Sequence, residues 1–260
     1  MTVYSYSRLE TFEKCKLKFK YRYIDKIIPE IPKSIEAHLG TVVHSTLEWL
    51  YIKVIAGVIP SMDDVISKYS EKWTEEYVPN MLIVNKFMTE QNYFNKGLTF
   101  LIDYYYKHQP FKEKTIATEK KIELLLDESG EKKLVGFIDR LVHNEENDEF
   151  EIHDYKTANT LPSREELEKN RQLALYSIAI KEEFGKEKKV KLVWHYLAHN
   201  EKISIIKTNQ DLENLKAEVI TLINEIEQTK HFPPNPSRLC DWCEYKDMCP
   251  SYSGQKKLMF

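Results

Sequence analysis

The chain has 260 residues, of which 42% are hydrophobic and 30% charged, and its formal net charge is −3. This balance is typical of a globular protein with one large domain and excludes a disordered chain. The slightly acidic charge means that a nucleic-acid partner would need a local basic surface. No apolar run approaches the roughly 20 residues of a membrane span, and the polar N-terminus does not resemble a signal peptide, so we expect a cytoplasmic protein with no membrane partner.

The N-terminal part, residues 1–110, is predicted to be mostly helical. Three helical segments occupy Tyr6–Ile24, Ser34–Ile59 and Ser61–His108. The first segment has Ser7 as its expected N-cap, with Glu10 three residues later as the partner in a capping box.

The middle of the chain, residues 111–210, shows the alternation of apolar and polar side chains that is typical of strands. Five predicted strands occupy Thr115–Asp127, Lys132–His143, Glu149–Thr157, Lys189–Ala198 and Glu201–Thr208. A helix after the third strand starts at Ser163, which forms a capping box with Glu166, and ends before Gly185. A last helix over Asp211–Thr229 and a cysteine-rich tail make up residues 211–260. This order predicts a single α/β domain, residues 1–260, with a mixed central sheet flanked by helices.

A predicted β-hairpin carries Asp139 on its first strand and Asp154 and Lys156 on its second. A turn centred between Glu146 and Asn147 pairs residues whose numbers add to 293, as 139 and 154 do, so the two aspartates lie opposite each other, roughly 5 Å apart at Cβ. Like charges at this distance repel unless a cation lies between them, and carboxylates are ligands that Mg²⁺ and Mn²⁺ prefer. The alternative is a pair of surface aspartates beside an incidental lysine.

The order of these motifs resembles the RecB-like branch of the PD-(D/E)xK nuclease superfamily. The matching elements are Gly40-x-x-x-His44, Gly136-x-x-Asp139-Arg140, Asp154-Tyr155-Lys156-Thr157 and Gln172-x-x-x-Tyr176. Ile138 stands where the superfamily name has a proline. The resemblance covers nearly the whole chain and implies a restriction-endonuclease-like core with a helical N-terminal region and a cysteine-rich C-terminal tail.

The resemblance also implies which residues form a catalytic metal site. Mg²⁺ or Mn²⁺ would be bound by His44, Asp139, Asp154 and the main-chain carbonyl of Tyr155, and Lys156 would be the catalytic lysine.

Four further residues are candidates for the same site. Gln172 and Tyr176, four residues apart on one helix face, would support the site or contact DNA. Glu119, on the strand before the hairpin, resembles an acidic residue that the family often has there. Arg140 is directed away from Asp139 by strand alternation, so it is either structural or a phosphate contact.

Three cysteines form the motif Cys240-x2-Cys243-x5-Cys249 in the tail, and Cys15 is the only other cysteine. Four thiolates bind either a tetrahedral zinc ion or an iron–sulfur cluster. Zinc ligands usually come as two nearby pairs, whereas one distant cysteine with a triplet resembles the iron–sulfur nucleases of this branch. These include the AddB-type helicase–nuclease subunit and the CRISPR-associated RecB-like exonucleases. The sequence therefore favours a 4Fe–4S cluster that joins the two ends of the chain.

The expected function is metal-dependent hydrolysis of DNA, by an exonuclease that acts on single-stranded ends in DNA repair, recombination or CRISPR adaptation. Two alternatives stay open. The chain could be a nuclease subunit that is active only with a separate helicase or integrase, or a DNA-binding module without catalysis. The presence of His44, Asp139, Asp154 and Lys156 argues against the second alternative.

Overall fold

A mixed six-stranded sheet lies at the centre of the protein, in a computed structural model that describes residues 2–30, 33–127 and 129–252. The strands are β1 (Thr2–Tyr4), β2 (Thr115–Leu125), β3 (Lys132–Asn144), β4 (Glu149–Lys156), β5 (Lys189–Tyr196) and β6 (Glu201–Ile206). The helices are α1 (Tyr6–Lys14), α2 (Lys16–Phe19), α3 (Ile35–Ile55), α4 (Met62–Glu75), α5 (Glu90–His108), α6 (Arg164–Glu168), α7 (Gln172–Phe184) and α8 (Asn209–Gln228). One turn of π-helix (Lys20–Ile24) and three short 3-10 helices (Leu197–His199, Arg238–Trp242 and Lys246–Met248) complete the elements.

Strand β3 pairs with three other strands of the sheet. The order is β1–β3–β4–β5–β6, and β2 pairs with the remaining edge of β3. The pairs β1–β3 and β4–β5 are parallel, and the others are antiparallel. The edge of β3 that faces away from β2 pairs with β1 up to Leu134 and with β4 from Arg140 onward. Residues 135–139 therefore have no strand partner on this edge within the part of the chain that the structure describes.

The β3–β4 hairpin has the predicted register. Its pairs run from Arg140–His153 to Asn144–Glu149, and each pair adds to 293. Asp139 and Asp154 are the next residues beyond the Arg140–His153 pair, at the end of the hairpin where the two strands stop pairing.

The regular alternation of side chains breaks on both β2 and β3 at the same level. The pairs Thr118–Arg140 and Lys120–Ile138 place Glu119 opposite Asp139. Glu119 has a φ of 44°, a left-handed conformation that a glutamate rarely adopts. Ile138 and Leu141 belong to the same hydrophobic core although they are three residues apart, which strict two-residue alternation does not allow. Glu119 and Asp139 therefore lie opposite each other where the alternation of buried and exposed side chains is interrupted on both strands.

Two hydrophobic cores cover opposite faces of the sheet. One contains α1, α2 and α6–α8, and the other contains α3–α5 together with Tyr155 and Leu197. Side chains of β5 show the division, because Trp194 packs into the first core while His195 contacts Tyr104 and Tyr155 beside the second. The predicted mixed sheet flanked by helices is thus confirmed. Within the described ranges, no helix is both long and apolar enough to cross a membrane.

The first predicted helix differs from the structure at both its start and its middle. Its N-cap is Ser5, whose Oγ accepts from the main-chain N–H of Arg8 at 3.2 Å, so the expected cap at Ser7 was wrong. The helix is also broken at Cys15, which has extended backbone angles. No proline or glycine marks this break in the sequence.

The predicted helix between Ser163 and Gly185 is two helices. Ser163 and Glu166 form the expected capping box, but it caps only the short α6. A second start follows at Gln172, whose N–H donates to the side chain of Asn170 at 3.1 Å. Gly185 ends α7 as expected, with a φ of 130° that favours glycine.

Candidate active site

His44, on α3, is held against the point where β3 and β4 separate. Its Nε2 lies 2.7 Å from the carbonyl oxygen of Tyr155, and because a carbonyl only accepts, this nitrogen carries a proton. Its Nδ1 lies 3.3 Å from Oδ2 of Asp139. The main-chain N–H of Tyr155 donates to the same Asp139 oxygen at 2.9 Å. The peptide units that flank Tyr155 thus orient two of the predicted metal ligands.

The charges of His44 and Asp139 stabilise each other. Burial alone would favour a neutral imidazole, but the charge of Asp139 and its hydrogen bond outweigh burial and raise the pKa of His44 to about 9. Burial also opposes ionisation of Asp139, yet His44 and the Tyr155 N–H lower the pKa of this carboxyl. The pair is therefore an imidazolium and a carboxylate near neutral pH.

Glu119 completes a group that is suited to a cation. Ligand atoms of His44, Glu119 and Asp139 all lie within 4.8 Å of one another, and they are the only such group of three among the described residues. Burial, with the nearby charges of Asp139 and Glu48, raises the pKa of Glu119 to about 7. A divalent cation would relieve the crowding of these carboxylates, and their oxygens with one imidazole are a donor set that Mg²⁺ and Mn²⁺ accept. The weaker candidate Glu119 thus lies at the centre of the site.

Asp154 and Lys156 form an ion pair beside this group. Oδ2 of Asp154 lies 2.7 Å from Nζ of Lys156, and the lysine also donates to Oε1 of Gln172 at 3.2 Å. Burial disfavours the ammonium, but the charge of Asp154 outweighs it and raises the pKa of Lys156. The structure therefore places Asp154 next to the group of His44, Glu119 and Asp139 but pairs it with the lysine.

Tyr176 packs against the strand that carries Asp139. A Cβ atom at Gly136 would lie 2.4 Å from Cε1 of Tyr176, so only glycine permits this close approach of α7 to β3. Gln172 and Tyr176 are one turn apart on α7 and both reach the same end of the sheet as Lys156. Sequence spacing alone did not reveal the glycine–tyrosine contact.

Arg140 lies in a buried polar network behind the site, where it has no exposed surface. Its guanidinium contacts Oε2 of Glu113 at 2.8 Å and Nδ1 of His153 at 2.7 Å, and stacks 4.2 Å from the ring centroid of Tyr51. His153 in turn meets Nε2 of His195 at 2.8 Å. Of the two roles expected for Arg140, the burial supports the structural one. The histidines were missed in the sequence, although a histidine on each of two apolar strands was the available signal.

The four cysteines line one cavity of about 250 Å³. Cys15 enters it from the break between α1 and α2, and Cys240, Cys243 and Cys249 come from the tail. No three of the four Sγ atoms, all of which the structure describes, lie within 4.8 Å of one another. This spacing is wider than in a tetrahedral zinc site, where Zn–S bonds of about 2.3 Å bring the sulfurs roughly 3.8 Å apart.

Direct contacts hold the tail against the N-terminal helices around this cavity. Lys18 pairs with Glu244 at 2.7 Å, and the Tyr245 hydroxyl donates to the carbonyl of Ile27 at 3.1 Å. The Asn235 amide donates to the carbonyl of Lys14 at 3.0 Å. The cysteine-rich tail, as far as the structure describes it, thus packs against the N-terminal helices.

The geometry agrees with a family comparison. A model of the PD-(D/E)XK nuclease superfamily matches residues 3–250, and the chain belongs to this superfamily. Its fold is the PD-(D/E)xK fold, with helices before the catalytic sheet and cysteines near the C-terminus.

Comparison with one solved structure supports this fold and identifies no substrate. The solved structure of a "Putative exonuclease" from Eubacterium rectale superposes with a TM-score of 0.52 at 12% identity, over 93% of this chain and 86% of that chain. The structure of SSO0001 superposes with a TM-score of 0.45 at 14% identity, over 96% of this chain and 86% of that one. No curated protein matches the chain significantly.

Proposed function

We propose that this protein is a metal-dependent deoxyribonuclease that removes nucleotides from single-stranded DNA ends. The observation that carries the proposal is the juxtaposition of the His44–Glu119–Asp139 group with the Asp154–Lys156 pair at one end of the sheet. Carboxylates and an imidazole that can hold a divalent cation, with an ammonium beside them, suit phosphodiester hydrolysis. Membership of the nuclease superfamily supports the same chemistry.

Different residues would bind the metal ion and stabilise negative charge during hydrolysis. Mg²⁺ or Mn²⁺ would be held by His44, Glu119 and Asp139, with Asp154 and the Tyr155 carbonyl as nearby oxygen donors, and would polarise the phosphate and lower the pKa of a bound water.

Lys156 supplies a fixed positive charge next to the scissile phosphate. Asp154 keeps the lysine protonated, and Gln172 fixes its direction. An ammonium held in this way stabilises the negative charge that develops on the phosphoryl oxygens during in-line attack.

The test is cleavage of single-stranded DNA labelled at the 5′ or the 3′ end, with Mn²⁺ and with chelator. Native protein should shorten the DNA with Mn²⁺ only, and Lys156→Ala should be at least about 100-fold slower, as when other preorganised charges are removed. Lys121→Ala is the matched control, because its side chain is 57% exposed on β2. Native protein that is inactive alone but cuts when a helicase or integrase is added would replace the stand-alone enzyme with the subunit alternative. Inactivity under every condition would leave only the non-catalytic module.

We also propose that Cys15, Cys240, Cys243 and Cys249 bind a 4Fe–4S cluster that fastens the tail to the N-terminal helices. The position of all four cysteines around one cavity of about 250 Å³ supports a single group that is bound by four thiolates. Anaerobically purified protein should contain about four iron atoms and four sulfides per chain, and Cys15→Ser should lose most of both. One zinc atom per chain and no iron would contradict this proposal.

A further inference from the structure

We infer that a groove beside the site binds the base of an unpaired nucleotide next to the scissile phosphate. The groove has a volume of about 590 Å³ and lies between the β1–α1 segment and the β3–α7 pair. Its lining includes Tyr6, Arg8, Tyr23, Phe137, Gln172 and Tyr176. The inference rests on the proposed function and adds to it a specific contact for single-stranded DNA.

The groove exists because β3 lacks a partner along part of one edge. Strand β1 stops pairing at Leu134 and β4 starts at Arg140, so Gly136 and Phe137 lie in the gap between them. Asp139 is the last residue of this unpaired segment. The gap in the sheet therefore leads directly to the catalytic carboxylates.

Two residues belong to both the groove and the site. Gln172 and Tyr176 line the groove, and Gln172 also accepts a hydrogen bond from Lys156. On the opposite wall of the groove, the Tyr6 hydroxyl donates to Oε1 of Glu10 at 3.3 Å. Burial and Glu10 raise the pKa of this hydroxyl, while the nearby charges of Arg171 and Lys156 oppose the rise. A DNA strand whose phosphate lies at Lys156 would thus place its neighbouring nucleotide in the groove.

The lining has the chemistry of a single-strand subsite. Phe137 is 51% exposed although it lies on a central strand, and Tyr6 and Tyr23 are half-buried. Aromatic faces of this kind stack with bases that are not paired in a duplex. The described lining residues include the cation Arg8 and no carboxylate, which suits a phosphate backbone in a chain whose net charge is −3.

A fluorescence experiment tests the inference without relying on cleavage. Oligonucleotides would carry one 2-aminopurine at the first, second or third position from either end, and would bind to the Lys156→Ala protein with Mn²⁺ and to the native protein with chelator. Stacking on an aromatic ring quenches this base, so we expect quenching at one or two adjacent positions. Phe137→Ala should abolish the quenching and weaken binding about ten-fold, the lower end of what one lost base–aromatic stack costs.

Two further variants separate stacking from a general effect on the fold. Phe137→Trp keeps an aromatic face and should retain both quenching and affinity. Phe87→Ala removes another aromatic side chain, 97% exposed and outside the groove, and should bind like the native protein.

The possible outcomes distinguish a failure of base binding in the groove from a failure of the proposed nuclease activity. Equal quenching and affinity in Phe137→Ala and in the native protein would overturn the inference, as would a native protein that binds no single-stranded DNA. The inference would also be overturned if a peptide bound in the groove and single-stranded DNA had no effect on Phe137. Binding that depends on Phe137 in a protein that never cuts DNA would support the groove and reject the proposed nuclease activity.

Discussion

Nε2 of His44 donates a hydrogen bond to the main-chain carbonyl of Tyr155 over 2.7 Å, while Nδ1 of the same ring lies 3.3 Å from Asp139. The imidazolium therefore lies between two oxygen atoms that are both expected to bind a metal ion. A proton on His44 and a divalent cation at this site serve the same electrostatic purpose, because each neutralises Asp139. Metal binding and protonation should thus compete.

The first prediction is that Mn²⁺ affinity rises with pH. His44, with a pKa of about 9, and Glu119, with a pKa of about 7, are protonated below those values, and each must lose its proton to bind the metal. Affinity should increase about ten-fold per pH unit between pH 7 and 9, more steeply below pH 7, and level off above pH 9. Calorimetric titration in buffers of different ionisation enthalpy measures both the affinity and the number of protons released.

Two variants assign this pH dependence to its source. His44→Ala should bind Mn²⁺ more weakly and lose the rise between pH 7 and 9. His143→Ala removes an imidazole that pairs with Asp148 near the hairpin turn, and it should keep the rise. A native protein whose affinity is flat from pH 7 to 9 would show that metal binding displaces no proton from His44.

The second prediction concerns Gln172, an uncharged residue that we propose to orient the catalytic lysine. Gln172→Leu removes the acceptor 3.2 Å from Lys156, so the ammonium would be less well placed for the phosphate. We expect a cleavage rate about 10- to 100-fold lower, because small misplacements of a catalytic group have effects of this size.

Mn²⁺ affinity should be unchanged in Gln172→Leu, which separates this role from metal binding. Gln210→Leu, which removes an exposed amide bonded to Asn214, should cleave at the native rate. A Gln172→Leu protein as fast as the native one would mean that Asp154 alone positions Lys156.

The third prediction is that Gly136→Ala destabilises the protein through Tyr176. The added Cβ would lie 2.4–2.7 Å from three atoms of the tyrosine ring, and overpacking of this kind costs about 1–3 kcal/mol of unfolding free energy. Urea unfolding measures the loss. Gly136→Ala combined with Tyr176→Leu should lose less than the two single changes together, because the smaller side chain leaves room.

Gly40→Ala provides the matched control for this prediction. Gly40 lies in α3, and a Cβ there would be 3.4 Å from Oγ1 of Thr157, an acceptable contact. Alanine in a helix is favoured over glycine by about 0.5–1 kcal/mol, so Gly40→Ala should be neutral or slightly stabilising. An equal loss in both glycine variants would indicate a helix or strand effect unrelated to Tyr176.

The sequence predicted the hairpin well because its signal is local. Alternating residues and one acidic turn define both strands, and their register follows from the turn alone. The three residues of β1 could not be predicted in the same way, since Thr2–Tyr4 is too short for a pattern and pairs with a strand 130 residues away. The break at Cys15 likewise coincides with contacts to the distant tail, because the Asn235 amide donates to the carbonyl of Lys14 and the N–H of Leu17 donates to the carbonyl of Pro233.

The position of Glu119 shows the limit of alternation as a guide to the site. Counting residues places a side chain on one face or the other only where the strand keeps regular extended backbone angles. The left-handed backbone of Glu119 brings its carboxylate to His44 and Asp139, and nothing in the neighbouring sequence marks that conformation. Only the family resemblance pointed to this residue.

The fourth prediction is that Arg140 stabilises the fold and does not contact DNA. Its guanidinium is completely buried and pairs with Glu113. Burial opposes ionisation of Glu113, but Arg140, with His153 and Lys202, lowers the pKa of this carboxyl to about 2. Arg140→Ala would remove a partner from both Glu113 and His153, although Glu113 keeps Lys202 and His153 keeps His195. We therefore expect a loss of about 3 kcal/mol, at the lower end of what breaking a buried pair costs. Urea unfolding should show this loss, whereas Arg164→Ala, 87% exposed and paired with Glu168, should cost about 0.5 kcal/mol or less.

The salt dependence of DNA binding distinguishes the structural role from a phosphate contact. Each lysine or arginine that neutralises a phosphate adds about one unit to the slope of log affinity against log salt concentration. Because Arg140 has no surface from which to reach a phosphate, folded Arg140→Ala protein, assayed in the cold and well below its unfolding midpoint, should keep the native slope. A slope reduced by one unit would mean that the network opens when DNA binds and that Arg140 takes part in holding the backbone. In that case Glu113→Gln, which frees the guanidinium from its carboxylate, should strengthen binding where Arg140→Ala weakens it.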